Sequence, residues 1–300
     1  MEKILEPPST ATLVRAMEDN RCTLCTLFAR LPGAELHDAP DVLQVTTNEP
    51  FSVFNTVHRA QFAPKDVDTA IEAAKTRARA RGVRLMWLVG PSTRPADLGD
   101  SLQAHGFVHE EDIFGMATDL SRLPDDRELP AGVEIREATG EQDLRTWSTT
   151  MVSAFGMPES VVDTYIQWLL PLTTQEHSPV HLYIGWLDGV AVATQLLVLG
   201  AGVAGIHYLG TLPSARGRGV GGAVCLNTLR EGRARGYRIG VTEAETMAVG
   251  TCRRLGLKEY YTVSVYIWKG DATGGRAGRR SRTKAIASAI RRARPAGDRP

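Results

Sequence analysis

Cysteine is scarce in this chain, with four residues among 300, at Cys22, Cys25, Cys225 and Cys252. Scattered in this way they cannot staple a chain of this length, so the sequence predicts reduced thiols and no structural disulfide. The sequence also lacks any run of about 18 apolar residues that could span a bilayer. Its first residues, MEKILEPPST, have neither the basic start nor the apolar stretch of a secretory signal. These absences argue against a disulfide-stapled secreted protein and a helical membrane protein, and predict a cytoplasmic one.

The composition is that of a globular protein, with 43% hydrophobic and 23% charged residues, at a length that favours two domains. The formal net charge of +1 is uneven along the chain. Residues 270–300 hold nine Lys and Arg against two Asp, a net charge of +7, so the remainder carries −6. Such a tail could contact polyanions such as nucleic acid. The alternative, which the absence of aromatics and the glycine-rich start of the tail favour, is a solvated disordered end.

Two stretches of the chain follow the same plan: an Ala/Arg-rich amphipathic helix, a strand, a second helical stretch, a Gly-apolar step and an alternating strand. The Gly-apolar steps, Gly106-Phe107 and Gly256-Leu257, lie 150 residues apart. Residues 121–132 between the stretches hold two prolines and a charge cluster, as linkers do. The sequence therefore predicts a duplicated α/β unit, with an N-terminal copy in residues 1–128, a C-terminal copy in residues 131–269 and the tail in 270–300.

The C-terminal copy is predicted to contain a mixed sheet with helices on its faces, because strands come first and then alternate with helices. Asp188-Gly189 is a tight-turn pair and predicts a hairpin of strands 181–188 and 190–200. The fold class is thus α/β, of the α+β mixed-sheet kind. The other predicted elements are a strand at 133–137, helices at 140–155 and 158–170, a strand over VAGIHYLGTL, a helix at 221–235, a strand at 237–243, a helix at 249–255 and a last strand.

A glycine-rich segment lies between an apolar strand and a helix in this copy, where it reads Arg216-Gly217-Arg218-Gly219-Val220-Gly221-Gly222. Such a turn points several backbone N–H groups at one spot, adds the positive end of the helix dipole, and removes the Cβ atoms that would block a phosphate. The two arginines add cationic donors. The spacing fits neither the P-loop nor the dinucleotide-binding fingerprint. The segment therefore predicts a phosphate-binding site.

Arg-x-x-Gly-x-Gly after a β-strand resembles the pyrophosphate-binding motif of the GNAT acetyltransferases, and the resemblance extends over about residues 133–269 in element order. It implies two GNAT-like acyl-CoA N-acyltransferase domains in tandem. The N-terminal copy departs from the motif, because the segment before its helix reads QFAPKD, without glycine. A loop of that kind cannot cradle a diphosphate in this manner, so this copy is predicted to be degenerate and to shape or buttress the active one.

The resemblance implies an N-acetyltransferase in which a primary amine of a small molecule or protein attacks acetyl-CoA directly, with no covalent enzyme intermediate and no metal. Acetyl-CoA would be a co-substrate. The alternative is a non-catalytic acyl-CoA-binding sensor or adaptor. The strand edge at Leu209, Gly210 and Thr211 would bind the pantetheine arm and supply the oxyanion donor. The diphosphate would be bound by Arg216, Gly217, Arg218, Gly219, Val220, Gly221 and Gly222.

For the catalytic base, Glu243 at the end of its predicted strand is the first candidate and Glu245 the second, because strand ends in such sheets face the ligand crevice. Both acids could instead solvate a loop or cap the next helix. His207, on the cofactor strand, is a third candidate, since it titrates near neutrality, although a lone strand histidine is usually packed or hydrogen-bonded.

The acid that protonates the departing thiolate is where the sequence leaves the family pattern. Many GNAT enzymes use a tyrosine in the helix before the Gly-apolar step, and Cys252 stands there. A thiol could donate a proton, but this one is predicted to be structural. Tyr260 or Tyr261 on the next strand could face the thiolate, or water could supply the proton.

Two further patterns admit a functional and a structural interpretation. Cys22-x-x-Cys25 suggests a metal or redox site, but without a second pair at zinc spacing it favours two small apolar residues on one helix face. An aromatic set could line an apolar acceptor pocket, although helix-spaced aromatics more often pack in a core. Its members are Trp147, Phe155, Tyr165 and Trp168.

Overall fold

A computed structural model describes residues 4–6, 8–125 and 127–271. The basic tail therefore lies outside the described residues from 272 onward, and its role stays a prediction. No helix in the described part of the chain is long and apolar enough to cross a membrane. The helices are α1 Thr10–Leu27, α2 Val67–Ala80, α3 Leu98–Ala104, α4 Gly140–Ala154, α5 Val162–Thr173, α6 Val220–Ala234 and α7 Thr246–Arg254. The strands are β1 Glu35–Ala39, β2 Val42–Thr46, β3 Thr56–His58, β4 Leu85–Val89, β5 Val108–Asp119, β6 Val133–Glu137, β7 Val180–Leu187, β8 Val190–Gly200, β9 Val203–Thr211, β10 Ile239–Glu245 and β11 Lys258–Trp268.

Local signals in the sequence account for several element boundaries. The β7–β8 hairpin turns at Asp188 and Gly189, whose φ angles of 52° and 78° are both in the left-handed region, as a tight hairpin turn requires. Helix α2 has Arg77 and Arg79 in its last turn and is followed by Gly82 at φ 65°. The mixed α/β fold predicted from the sequence is confirmed.

The described chain packs as two compact units. The first unit contains residues up to 125, 197–207 and 228–271, and the second contains residues 127–196 and 208–227. Strands β8 and β9 each contribute to both units. The units do not coincide with the ranges 1–128 and 131–269, which stay a prediction about the two copies.

Within the first unit the strands follow the order β1-β2-β3-β4-β11-β5-β10-β9. The last strand of each copy is paired with the other copy. Strand β11 of the C-terminal copy lies antiparallel to β4, from Ser264 opposite Val89 to Trp268 opposite Leu85. Strand β5 of the N-terminal copy lies antiparallel to β10 and to β11. The two copies therefore exchange their final strands.

The second unit orders its strands β9-β8-β7-β6 and packs α4 and α5 against β7. The part of α6 up to residue 227 also belongs to this unit. Gly185 on β7 makes room for helix α6, because a Cβ atom there would lie 2.5 Å from Val224 Cγ2. Trp147, Tyr165 and Trp168 have no exposed surface. These three aromatic side chains are core, as the structural interpretation of the set predicted.

Candidate functional site

The glycine-rich loop of the second unit connects β9 to α6. Gly217 and Gly219 have φ angles of 77° and 80°, where side chains other than glycine are strained. The backbone N–H of Ala223 donates to Gly219 O at 3.0 Å, which opens the first turn of α6. The loop therefore needs its glycines for its backbone course.

The start of α6 presents backbone donors. The N–H groups of Val220, Gly221 and Gly222 lie in the first turn of the helix, where no intrahelical carbonyl is available to them. A Cβ atom on Gly221 would lie 2.7 Å from Thr211 Oγ1, so this glycine lets the strand end approach the helix. Clustered N–H groups at a helix start, with no Cβ in the way at 221, form an arrangement that suits an anion such as a diphosphate.

The two arginines of the loop differ in their contacts. Arg216 donates from Nε to Thr211 O at 3.1 Å and from Nη2 to Ala154 O at 3.4 Å, so it ties the loop to the end of α4. Arg218 is exposed and pairs with Asp188 Oδ2 at 3.4 Å. The sequence predicted two cationic donors for a ligand, whereas Arg216 has two of its donors committed to backbone carbonyls.

The strand edge predicted for pantetheine, residues 209–211, follows a backbone irregularity at Tyr208, whose φ of 53° is in the left-handed region. The Tyr208 ring makes edge contacts with the whole aromatic set, at centroid distances from 5.8 Å to 6.4 Å. Next to it, a Cβ atom on Gly210 would meet Ala154 Cβ and Thr194 Oγ1 at 3.0 Å. The aromatic set therefore fixes the strand at the point where the predicted edge begins.

In the first unit, the parallel ladder between β9 and β10 is short. Ala204 pairs with Gly240 and Gly205 with Val241. Beyond them the hydroxyl of Thr242 donates to Ile206 O at 2.8 Å, so a side chain takes the place of the next ladder bond.

Glu243 lies on β10 in a buried polar network. Arg21 Nη1 is 2.5 Å from its Oε1, and the Tyr261 hydroxyl donates to the same oxygen at 2.8 Å. Burial raises the pKa of the Glu243 carboxyl, while the Arg21 guanidinium and the Tyr261 hydroxyl stabilise its ionised form. The structure thus places the first candidate base beside a cation that the sequence analysis did not connect with it.

Glu245 is the last residue of β10, which runs two residues further than the sequence predicted. It occupies the N-cap position of α7, but its side chain makes no capping hydrogen bond there. Burial raises its pKa, and burial together with the Glu245 charge raises the pKa of Glu111 to about 7. A pair of carboxyl groups therefore lies near this strand end.

His207 is hydrogen-bonded rather than open, with Nε2 3.0 Å from Asn20 Oδ1. Burial, and then the Arg21 charge, lower its pKa to about 4. It is therefore a neutral imidazole at neutral pH.

The acid candidates lie in different surroundings. Cys252 on α7 is 2% exposed, as its structural interpretation predicted. Tyr261 uses its hydroxyl on Glu243, and Tyr260 is 37% exposed. Of the two tyrosines, Tyr260 is the more exposed to solvent.

The N-terminal copy contains a counterpart of the strand edge. Arg59, directly after β3, has a left-handed φ of 54°, as Tyr208 on β9 has. Strand β3 pairs in parallel with β4 over two residues, as β9 does with β10. Beyond Arg59 the edge is occupied by the chain itself, since Arg94 N donates to Ala60 O at 2.9 Å and Phe62 N donates to Arg94 O at 3.0 Å. Backbone groups that could bind a ligand in this copy are thus already bonded.

The cysteines form no disulfide. Cys22 and Cys25 lie on α1, and burial raises the pKa of both thiols, that of Cys22 to about 11. No group of three or more His, Cys, Asp or Glu within the described ranges is arranged to hold a metal ion.

Comparison with known proteins relates part of this chain to a known family. The model of the acetyltransferase (GNAT) family matches residues 142–257, a range that includes the glycine-rich loop, Glu243, Glu245 and Cys252. Among curated proteins, no sequence matches the chain.

Solved structures with the same fold include GNAT proteins. A GCN5-related N-acetyltransferase from Kribbella flavida is 19% identical, with a TM-score of 0.63 over 85% of this chain and 96% of that one. One from Sphaerobacter thermophilus is 19% identical, with a TM-score of 0.59 over 89% and 94%. A tandem GNAT protein from the clavulanic acid biosynthesis pathway is 14% identical, with a TM-score of 0.54 over 88% and 96%. Residues 142–257 of this chain are thus similar to the acetyltransferase (GNAT) family, and the chain has the fold of GNAT proteins, including a tandem one.

Proposed function

We propose that the C-terminal copy is an N-acetyltransferase that transfers an acetyl group from acetyl-CoA to a primary amine of a small molecule or protein. The observation that carries the proposal is the loop in which Gly217 and Gly219 take left-handed backbone angles directly before the first turn of α6. The family match over residues 142–257 supports acyl transfer in general. We propose the cytoplasm as its location.

The residues fit acetyl-CoA as follows. The N–H groups of Val220, Gly221 and Gly222 and the exposed cation of Arg218 would hold the diphosphate, while Arg216 keeps the loop against α4. The edge at 209–211 would hold the pantetheine arm. Bound acetyl-CoA supplies an activated acyl thioester. No metal is needed for attack on a thioester by a neutral amine.

The chain's own residues would accept the proton that the attacking amine loses and stabilise the oxyanion. An attacking amine must lose a proton, and a carboxylate in a water-poor site is a suitable acceptor. Both bonds that Glu243 receives from Arg21 and Tyr261 end on Oε1, which leaves Oε2 to accept a proton. Glu245, with a raised pKa, is the second proposed base. A backbone N–H at 209–211 would stabilise the oxyanion.

The proposal is tested by coenzyme A release from acetyl-CoA over a panel of amines. The variant is Gly217→Glu, and the matched control is Gly140→Glu. Both glycines have left-handed angles, 77° and 80°, and nothing within 4 Å of an added Cβ. Gly140 lies at the opposite end of α4 from Ala154, about 21 Å along the helix at 1.5 Å per residue.

We expect amine-dependent release that Gly217→Glu abolishes, by placing a negative charge where the diphosphate binds, and that Gly140→Glu retains. Equal release by the two variants would contradict the assignment of the loop.

A binding-only role is the second candidate, and the burial of Cys252 at the place of the usual tyrosine acid favours it. The two roles differ in a single result. Tight acetyl-CoA binding with no release for any amine would mean a sensor or adaptor, since both roles need the loop but only transfer consumes the thioester.

A further inference from the structure

Helix α1 of the N-terminal copy carries a buried polar segment. Glu18, Asn20 and Arg21 are 7%, 0% and 6% exposed, on a helix that also buries Leu13 and Met17. Charged side chains are seldom buried without partners. The partners of Asn20 and Arg21 lie on strands of the C-terminal copy, about 180 to 220 residues further along the chain.

Asn20 orients His207. Its Nδ2 donates to Val198 O at 3.1 Å and to Gly200 O at 3.0 Å, so the amide nitrogen is identified and Oδ1 is the acceptor. His207 Nε2, 3.0 Å away, must therefore carry the proton, which makes Nδ1 the basic nitrogen. Gly205 permits this contact, because a Cβ atom there would lie 1.8 Å from Asn20 Oδ1.

Arg21 orients Glu243. Its Nη1 is 2.5 Å from Glu243 Oε1, the oxygen that also accepts from Tyr261, so the carboxylate is held from two sides with Oε2 outside both bonds. The buried Arg21 Nε has no hydrogen-bond partner within the described ranges, so one donor of this cation is left for water or a bound substrate. Glu18 stands on the other side of the guanidinium, 3.8 Å from Nη2, and accepts from Ser92.

Stability alone does not account for such a pair. Replacing a buried ion pair with apolar side chains of similar volume is often neutral or stabilising, because desolvation offsets the Coulomb attraction. A role in placing the carboxylate does account for it.

We propose that Arg21 is the positioning residue for Glu243, the proposed base, and that Asn20 likewise orients His207, the third candidate base, so that the N-terminal copy completes the active site of the C-terminal copy. This inference rests on the proposed function, because it assigns the contacts to the acetyl-transfer reaction. It also gives the copy that lacks a glycine-rich loop a definite task.

The kinetic test uses the full chain with the best amine of the panel. Arg21→Met should lower kcat by roughly 100-fold or more, the contribution of a positioned general base, and leave KM for acetyl-CoA unchanged. Glu243→Gln should match it, and the double variant should lose no more than either single variant. Arg21→Lys should retain part of the activity that Arg21→Met loses, since it keeps the cation. This variant distinguishes loss of the positive charge from a folding defect.

Arg15→Met is the matched control, an exposed arginine on the same helix. If Arg21→Met retains the kcat of this control, or if the losses in the double variant multiply, the inference is overturned. Wild-type protein that releases no coenzyme A with any amine is a different failure, that of the proposed function.

A second arm needs no turnover. In ¹⁵N NMR, His207, assigned by its loss in His207→Gln, should carry its proton on Nε2 in the wild type and become a mixture of tautomers in Asn20→Leu. An unchanged tautomer in Asn20→Leu, or a wild-type proton on Nδ1, overturns the inference whether or not any amine is acetylated.

Discussion

The depressed pKa of His207 should be measurable as a pH dependence of stability. Its folded value, about 4, lies below the ordinary 6.5 because burial and Arg21 disfavour the imidazolium. For a depressed pKa the stabilisation is complete above the unfolded value and is lost as the pH falls through the folded one. The unfolded chain binds the proton first, so about 2.5 pH units at about 1.4 kcal/mol each give about 3 kcal/mol lost between pH 6.5 and 4.

The perturbation is His207→Gln, which keeps an N–H donor for Asn20 Oδ1 and cannot take up a proton. Urea unfolding followed by circular dichroism gives the free energy of unfolding of both proteins at each pH. The difference between the two free energies should be constant above roughly pH 7.5. On acidification to pH 4 the wild type should lose about 3 kcal/mol more than His207→Gln. His58, also buried with a lowered pKa, is present in both proteins and cancels. Parallel curves would refute the reasoning.

Three further predictions follow from the same contacts. Arg21→Met alone should lower the free energy of unfolding by about 3–5 kcal/mol, because Glu243 stays buried without its cation. The double variant Arg21→Met with Glu243→Leu should lower it by less. If the losses of the two single variants add up in the double variant, as measured by urea unfolding, the pairing is contradicted. Gly205→Ala should lower it by about 1–3 kcal/mol because its Cβ would overlap Asn20 Oδ1, and a variant as stable as the wild type would contradict this. Isothermal titration calorimetry should give one acetyl-CoA per chain, since Arg94 occupies the equivalent edge of the N-terminal copy; two sites would refute that assignment.

The features that the sequence predicted are those encoded locally. Asp188-Gly189 marks its hairpin because few residue pairs accept two left-handed angles in succession. Gly217 and Gly219 mark the loop for the same reason, and the apolar alternation before them marks the strand.

The network around Glu243 could not be predicted in this way. Arg21 and Glu243 are separated by 222 positions, and no periodicity relates residues that meet only through strand pairing and helix packing. One signal was present, since the charged and amide residues of α1 interrupt an apolar helical face. It shows that a partner is needed without identifying it. Likewise, the sequence identified Arg216 as a cation but could not show that two backbone carbonyls engage it.

The exchange of final strands has a consequence for how the chain folds during synthesis. One edge of strand β4 stays unpaired until β11, which ends at Trp268, has left the ribosome. Until then the nascent N-terminal copy exposes an unpaired strand edge, a site prone to wrong pairing and aggregation. Because these native pairs join residues far apart in the chain, folding should be slow and should complete late. A gene fragment ending at the linker would encode a protein that cannot close its own sheet.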